Sequence, residues 1–434
     1  MTTSTTDSTA AERQSTAALI EGIATAARRA ALTLATLPTD RKNAFLESLA
    51  IAIEARGEML IAENRNDLEA GAAAGLSNAL LDRLAITPER ISGMAQGLRE
   101  VAALPDPVGE IIEKNERPNG LRIEKVRVPI GVIGIIYESR PNVTVDCAAL
   151  CFKSGNASIL RGGKESFHSN RALAALITDT LQKHDLDTAA VQLVPTTDRS
   201  ALNTLLSLDE HIDCIIPRGG EGLIRFVAEN SRIPVIKHYK GVCCVYVDDE
   251  ADAALAEKIV VNAKVQRPSV CNAAENWFVH ADRAHDLLPA IGRALTDQGV
   301  ELRADKRAEA FLRKANVPVK PATEEDYHEE YLDLILAVKV VDSIDDAVDA
   351  VNRYGSKHSD AIVTCNEANA RKFMAEVDSA TVYWNASTRF TDGYEFGLGA
   401  EIGISTDKIH ARGPMGLREL TTYKFQIYGS GQIK

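Results

Sequence analysis

The unbroken apolar run at residues 130–136 (IGVIGII) constrains this chain more than any other feature. No polar residue marks a solvent face, so the run fits a strand covered on both sides, as strands of parallel sheets are. Shorter apolar runs recur at residues 157–160, 191–194, 212–216 and 242–247, and helix-length segments separate most of them. Strand–helix alternation of this kind predicts an α/β fold: a parallel sheet with crossover helices.

Before this region, residues 10–103 read as helical. Phe45, Leu46, Leu49 and Ile53 fall on one helical face. Pro38-Thr39-Asp40 precedes them and offers a turn with capping oxygens. Residues 120–128 (GLRIEKVRV) alternate roughly and predict an exposed strand or hairpin arm. A second unit begins near Asp248, with a helix over 251–261 and a loop around Cys271. Strands follow at 277–279, 334–341, 361–364 and 381–384, and the tail 420–428 reads as extended. A chain of 434 residues exceeds one typical core, so two or three domains are expected.

Acidic residues number 61 against 49 basic, a net charge of −12. That balance argues against nucleic acid as the main partner, and an anionic substrate would need a local cluster of Arg and Lys. The start, MTTSTTDSTAAERQ, lacks the basic-then-apolar pattern of a secretory signal and reads as frayed. Apolar runs are too short for a membrane span, so a cytoplasmic protein is expected.

The seven cysteines are Cys147, Cys151, Cys214, Cys243, Cys244, Cys271 and Cys365. They form no CxxC pair and no zinc-binding spacing, so free thiols and no metal are expected. All but Cys271 lie in apolar patterns, where a thiol is inert packing. Cys271, in QRPSVCNAAEN, follows a Pro-Ser turn and is the candidate nucleophile. Two Gly-rich loops follow strands: Arg161-Gly162-Gly163-Lys164 and Pro217-Arg218-Gly219-Gly220-Glu221-Gly222. Neither matches GxGxxG, and a tight turn explains either; both carry cations suited to a 2′-phosphate. Asn142, in ESRPNVTVD, starts a helix, as a cap or as an oxyanion donor. The irregular stretch 385–405 has Arg389 as its only basic residue, a candidate for an anionic substrate group.

Taken together, VPIGVIGIIYESRPNVT, LRGGKE, PRGGEGLI, RPSVCNAAEN, KHSDAIVT, STRFTDGYEFGLGAEIGIS and HARGPMGL resemble the aldehyde dehydrogenase superfamily, in its acyl-phosphate-reducing branch. The resemblance implies a Rossmann-type cofactor domain (1–114 and 130–247) and an α/β catalytic domain (248–395). It also implies a small β oligomerisation flap (115–129 and 411–434) and a returning connection (396–410). By the same resemblance, Cys271 is the nucleophile and Asn142 stabilises the oxyanion. Arg161 and Lys164 meet the adenosine ribose, and Gly219, Gly220 and Gly222 lie by the pyrophosphate. Arg140, Ser387, Thr388 and Arg389 are candidates for substrate binding. Glu330 matches a nicotinamide-ribose glutamate only roughly, because its sequence context differs.

The implied reaction is NADPH-dependent reduction of L-glutamyl 5-phosphate to the semialdehyde, through a Cys271 thioester, in proline biosynthesis. A homo-oligomer is implied, and a glutamate 5-kinase delivering the substrate is left open. One departure bears on chemistry. Ordinary members carry a Glu-Leu-Gly-Gly stretch whose Glu activates hydrolytic water. Here the stretch is Ile236-Lys237-His238-Tyr239-Lys240-Gly241, without a Glu. This weighs against a hydrolytic dehydrogenase, and the retained Cys271 and Asn142 weigh against a non-enzymatic role.

Overall fold

The computed structural model describes residues 10–434; the Thr/Ser-rich start read as frayed lies outside them. Five helices fill the first hundred described residues, from Ala10–Leu34 to Pro88–Ala103. Phe45, Leu46, Leu49 and Ile53 are buried on one face of the helix Thr39–Ala55, as the periodicity requires. Its expected cap differs. Pro38 is the N-cap without a side-chain bond, and Thr39 Oγ1 donates instead to Asp106 Oδ2 at 2.9 Å. Asp106 also receives the buried Lys42 ammonium at 2.8 Å, so this carboxylate accepts from both. By contrast Ser77 and Thr87 do cap, accepting from Leu80 N and Arg90 N, with Pro88 at the first helical position of the latter.

The chain divides into two compact units. One comprises residues through Lys237 with Leu398–Gly403 and Met415–Lys434; the other comprises His238–Gly397 with Ile404–Pro414.

In the first unit, Val132–Tyr137 is buried along its whole length. It pairs in parallel with Ala157–Arg161 on one side and Cys214–Arg218 on the other. Val191–Leu193 completes the four-stranded sheet beside Ala157–Arg161. A separate three-stranded antiparallel sheet places Arg122–Pro129 between Ile111–Glu116 and the tail strand Thr421–Tyr428. The strand Ile111–Glu116 of this sheet begins before residue 115, where the sequence reading starts its flap. The reason is that IIEKNE is exposed throughout and carries no core-facing pattern.

In the second unit a seven-stranded parallel sheet runs in the order Lys320–Pro321, Glu301–Ala304, Ile335–Val341, Ala274–His280, Cys243–Val247, Ser359–Val363, Thr381–Trp384. Two apolar clusters cover it, one around Trp277, Leu288 and Leu336, the other around Tyr246, Phe278 and Phe373. The strand Cys243–Val247 corrects the sequence reading, which assigned residues 242–247 to the first sheet. Its partners are Ala274–His280 and Ser359–Val363, and the division between units falls at 237/238 instead of 247/248.

Candidate active site

In the second unit, Cys271 sits on the turn between the helix Ala253–Val265 and the strand Ala274–His280. The helix starts on an Asp252 cap, and its axis ends at the foot of the loop. Cys271 is half-buried. Three sets of contacts hold its backbone and its neighbour Asn272. From below, Cys243 Sγ lies 3.2 Å from Cys271 O, a thiol donating to a carbonyl. Alongside, Gly241 comes so close that a Cβ there would stand 2.2 Å from Cys271 O and 2.4 Å from its Cα. Only glycine permits that approach. From the far side, Asn272 Nδ2 donates to Thr391 O at 2.8 Å, and Thr388 Oγ1 donates to Asn272 O at 2.7 Å.

The remaining cysteines differ sharply from Cys271. Burial pushes Cys147 and Cys214 up to about 12 and Cys151, Cys243 and Cys244 well above the ordinary thiol value. Those five are inert packing at neutral pH. Cys365 corrects its reading: it is exposed, just past the end of the strand Ser359–Val363.

Of the candidate substrate residues in this unit, Ser387 caps a short 3₁₀ turn, accepting from Arg389 N at 3.3 Å. Thr388 is buried with its hydroxyl committed to the neighbour of the nucleophile. Arg389 Nε donates to Gln266 Oε1 at 2.9 Å. Burial, and then repulsion from Arg267, push its guanidinium below the ordinary value, while Cys271 opposes the shift. Arg389 therefore lies within electrostatic reach of both Arg267 and Cys271.

The stretch 237–241 is organised by groups that sequence reading passed over. Gly241 N donates to Glu330 Oε1 at 2.9 Å. Glu330 is thereby a strut of the nucleophile loop. His238 Nδ1 lies 2.8 Å from Ile404 O. A carbonyl only accepts, so Nδ1 carries the proton. His238 meets the buried His358 edge-on at 5.8 Å between ring centres. Burial holds His358 down to about 3, so it is neutral, with Nδ1 2.8 Å from Ser359 Oγ. The only local signal for these contacts was the isolated Gly241, a mark of close backbone approach.

In the first unit, Asn142 is the exposed first residue of the helix Asn142–Lys153. Pro141, not Asn142, occupies the cap position. Asn142 Nδ2 donates to Asp146 Oδ2 at 2.8 Å, which fixes the amide orientation and leaves its second N–H. Burial pushes the Asp146 carboxyl up to about 6. The approach to this helix is anchored by Ser139, in the left-handed region at φ 45°, whose N–H and hydroxyl both donate to Glu165 Oε1. Arg140 is exposed beside it.

The two glycine loops lie at the carboxyl ends of the parallel strands Ala157–Arg161 and Cys214–Arg218, which flank Val132–Tyr137, where α/β sheets place ligands. Gly219 packs on Glu138; a Cβ there would come within 2.3 Å of Glu138 Oε2. Gly220 is the cap of the helix Glu221–Asn230, and its N–H donates to the same carboxylate at 2.9 Å. Gly222 lies in the first turn of that helix with open space around it. Arg161 is half-buried and donates to Thr197 O at 3.3 Å. Lys164 is exposed, with no ion-pair partner among the described residues. These groups suit a dinucleotide: a close-packed glycine loop, a helix start, and an unneutralised cation.

Comparison with known proteins follows the same lines. The model of the aldehyde dehydrogenase family matches residues 2–309. A relative named gamma-glutamyl phosphate reductase in Opitutus terrae is 60% identical over 419 residues, covering 96% of this chain and 99% of the relative. Another of that name in Moorella thermoacetica is 56% identical over 408 residues, covering 94% and 97%. The crystal structure of gamma-glutamyl phosphate reductase from Thermotoga maritima superposes with a TM-score of 0.93 at 44% identity, covering 96% of this chain and 99% of that one.

Proposed function

The chain belongs to the aldehyde dehydrogenase family, and from that premise we propose that it reduces L-glutamyl 5-phosphate to L-glutamate 5-semialdehyde with release of phosphate, a step of proline biosynthesis. Near-full-length relatives at 55–60% identity carry the name of that activity. The observation that carries the reading is the gripped backbone around Cys271, the one cysteine of the seven that is neither buried nor fully exposed.

As thiolate, Cys271 attacks the acyl carbon; the S–C bond forms, the C–O bond to phosphate breaks, and phosphate leaves. NADPH, when bound, supplies the hydride that reduces the thioester carbon. The hemithioacetal on Cys271 then collapses, its C–S bond breaking as the aldehyde forms and the thiolate returns. The Cys271 N–H is a proposed donor to the developing oxyanion, and the second amide N–H of Asn142 is the donor that the family resemblance adds. Arg389 and Arg267 are the proposed anchors for the substrate's anionic groups, with Arg140 and Ser387 as further contacts; Thr388 serves by holding Asn272.

The family fixes a nicotinamide cofactor, and we read NADPH from the cations. Lys164 and Arg161 would hold the 2′-phosphate, and Gly219, Gly220 and Gly222 would admit the pyrophosphate. The cofactor domain in this reading ends at 237, and the catalytic domain holds Cys271. The three-stranded sheet is the oligomerisation flap. Ile111, Tyr423, Phe425 and Ile427 on it are half or more exposed, a composition that a second copy of the chain would cover. No helix among the described residues is long and apolar enough to cross a membrane, consistent with a cytoplasmic enzyme. The lability of an acyl phosphate is the argument for delivery by a glutamate 5-kinase.

The test is oxidation of glutamate 5-semialdehyde with NADP⁺ with and without phosphate. Turnover is expected to need phosphate, with arsenate as a substitute. Sustained turnover to glutamate in phosphate-free buffer would refute the acyl-phosphate reading.

A further inference from the structure

The loop that carries Cys271 has its two ends joined by an ion pair that the mechanism above does not use. Lys264, in the last turn of the helix Ala253–Val265, puts Nζ 2.6 Å from Oε2 of Glu275, in the strand Ala274–His280. Both side chains are fully buried. The pair therefore closes residues 265–274 into a small ring with Cys271 in it.

Stability does not account for such a pair. Moving two charges out of water costs several kcal/mol each, and apolar residues of similar volume at such sites are often as stable or more so. Burial opposes the charge on both groups here, raising the Glu275 carboxyl to about 8 and lowering the Lys264 ammonium, with their mutual attraction working against both shifts. What the pair supplies that an apolar contact lacks is direction: one short N–H···O bond between defined atoms fixes how the helix end meets the strand start. The Gly241 and Cys243 contacts act on the middle of the same loop, so the ends and the crest are each held separately.

We propose that Lys264 and Glu275 are positioning residues, a clamp at the foot of the nucleophile loop that sets the Cys271 thiol and its N–H for acyl transfer. This deepens the reductase reading and rests on it for the rate measurements, but not for the thiol chemistry. The Cys271 thiol responds to iodoacetamide whatever the natural substrate is.

The experiment uses the full-length enzyme and two variants. Glu275→Gln changes one atom of the clamp and preserves its volume. Lys264→Met with Glu275→Leu replaces both charges by apolar groups and is the variant expected to fold at least as stably as the parent. Steady-state rates are taken per mole of folded protein. Alkylation is followed against pH by peptide mass spectrometry, which separates Cys271 from the exposed Cys365. In both variants kcat is expected to fall about 10- to 100-fold with KM within about 2-fold, because misplacement near 1 Å costs rates of this size. The alkylation profile of Cys271 is expected to shift from the parent's, because the surroundings of the thiol change with its placement. A stable double variant with parental kcat and an unmoved profile would overturn the proposal. So would a loss of activity in Glu275→Gln that only tracks its folded fraction. A parent enzyme inactive on glutamyl 5-phosphate, with the Cys271 profile still shifted in the variants, would sink the substrate reading and leave the clamp standing.

Discussion

Gly241→Ala tests whether the nucleophile is positioned by backbone contact. The added methyl would stand 2.2 Å from Cys271 O, 2.4 Å from Cα and 2.6 Å from C. All three are backbone atoms, so no side chain can rotate away. Ordinary contact begins near 3.4 Å, and relief therefore requires about 1.2 Å of movement, either by the Cys271 loop or by the 237–241 stretch. Glu330 Oε1 holds Gly241 and the loop's own contacts hold Cys271, so either movement disturbs the placement of the nucleophile. Gly241 is not among the glycines with positive φ, so alanine meets no backbone strain and the effect is steric alone. Overpacking of this kind costs about 1–3 kcal/mol of stability, which a domain of this size survives. A displacement near 1 Å at the reacting atom costs about 10²-fold in rate. The assay is kcat for glutamyl 5-phosphate or the reverse reaction, followed by NADPH absorbance, beside thermal melting. Gly97→Ala, in a helix with nothing within 4 Å, is the control and is expected to leave kcat unchanged. A folded Gly241→Ala enzyme with parental kcat would refute the reasoning.

The other predictions are simpler. Cys271→Ala is expected to abolish turnover while NADPH still binds; near-normal rate in it would remove Cys271 from the mechanism. Lys164→Gln is expected to narrow a preference for NADPH over NADH, since a charge-assisted hydrogen bond is worth about 1.5–3 kcal/mol; equal kcat/KM for the two cofactors in the parent contradicts this. His358, held at about 3 when folded against 6.5 in the unfolded chain, makes the unfolded state bind the extra proton between those values. Stability is thus lost as pH falls through that window, by about 1.4 kcal/mol per pH unit for one proton, and His358→Gln is expected to flatten the slope in urea titrations at pH 4 to 6. Deleting the residues after Leu420 removes one strand of the flap sheet and is expected to break the oligomer in light scattering, a result contradicted by an unchanged mass.

Where an element is covered on both faces, its own residues announce it. Residues 130–136 could only be an interior strand, and the buried face of Phe45, Leu46, Leu49 and Ile53 could only be a helix. What such runs do not state is which neighbour they pair with. Residues 242–247 are as apolar as 212–216, yet the two belong to different sheets, because parallel pairing is decided by partners distant in sequence. Short or exposed strands carry still less: Ile111–Glu116, Glu301–Ala304 and Lys320–Pro321 passed unread, the first because no face of it is buried and the last because two residues hold no period. Cys365 shows the same limit from the other side, since an apolar window continued past the true strand end at Val363.

The chemistry of the 237–241 stretch turns on the same distinction between local and distant residues. Read locally, it has no carboxylate, and hydrolysis of a thioester lacks its usual base. In the folded unit a carboxylate does arrive there, from Glu330, 89 residues further along the chain. Its Oε1 accepts from the Gly241 N–H, and Gly241 lies against the Cys271 backbone. A carboxylate used this way holds the loop, as a hydrogen-bond acceptor. His238 is the remaining base of the stretch, with its Nδ1 proton committed to Ile404 O, and it meets His358, which burial keeps uncharged. Where a hydrolytic enzyme puts a base, this chain has invested in positioning. Positioning favours a leaving group already bound over water drawn from solvent, and in the proposed reading Arg389, which feels the charges of Arg267 and Cys271, is the cation offered to that phosphate.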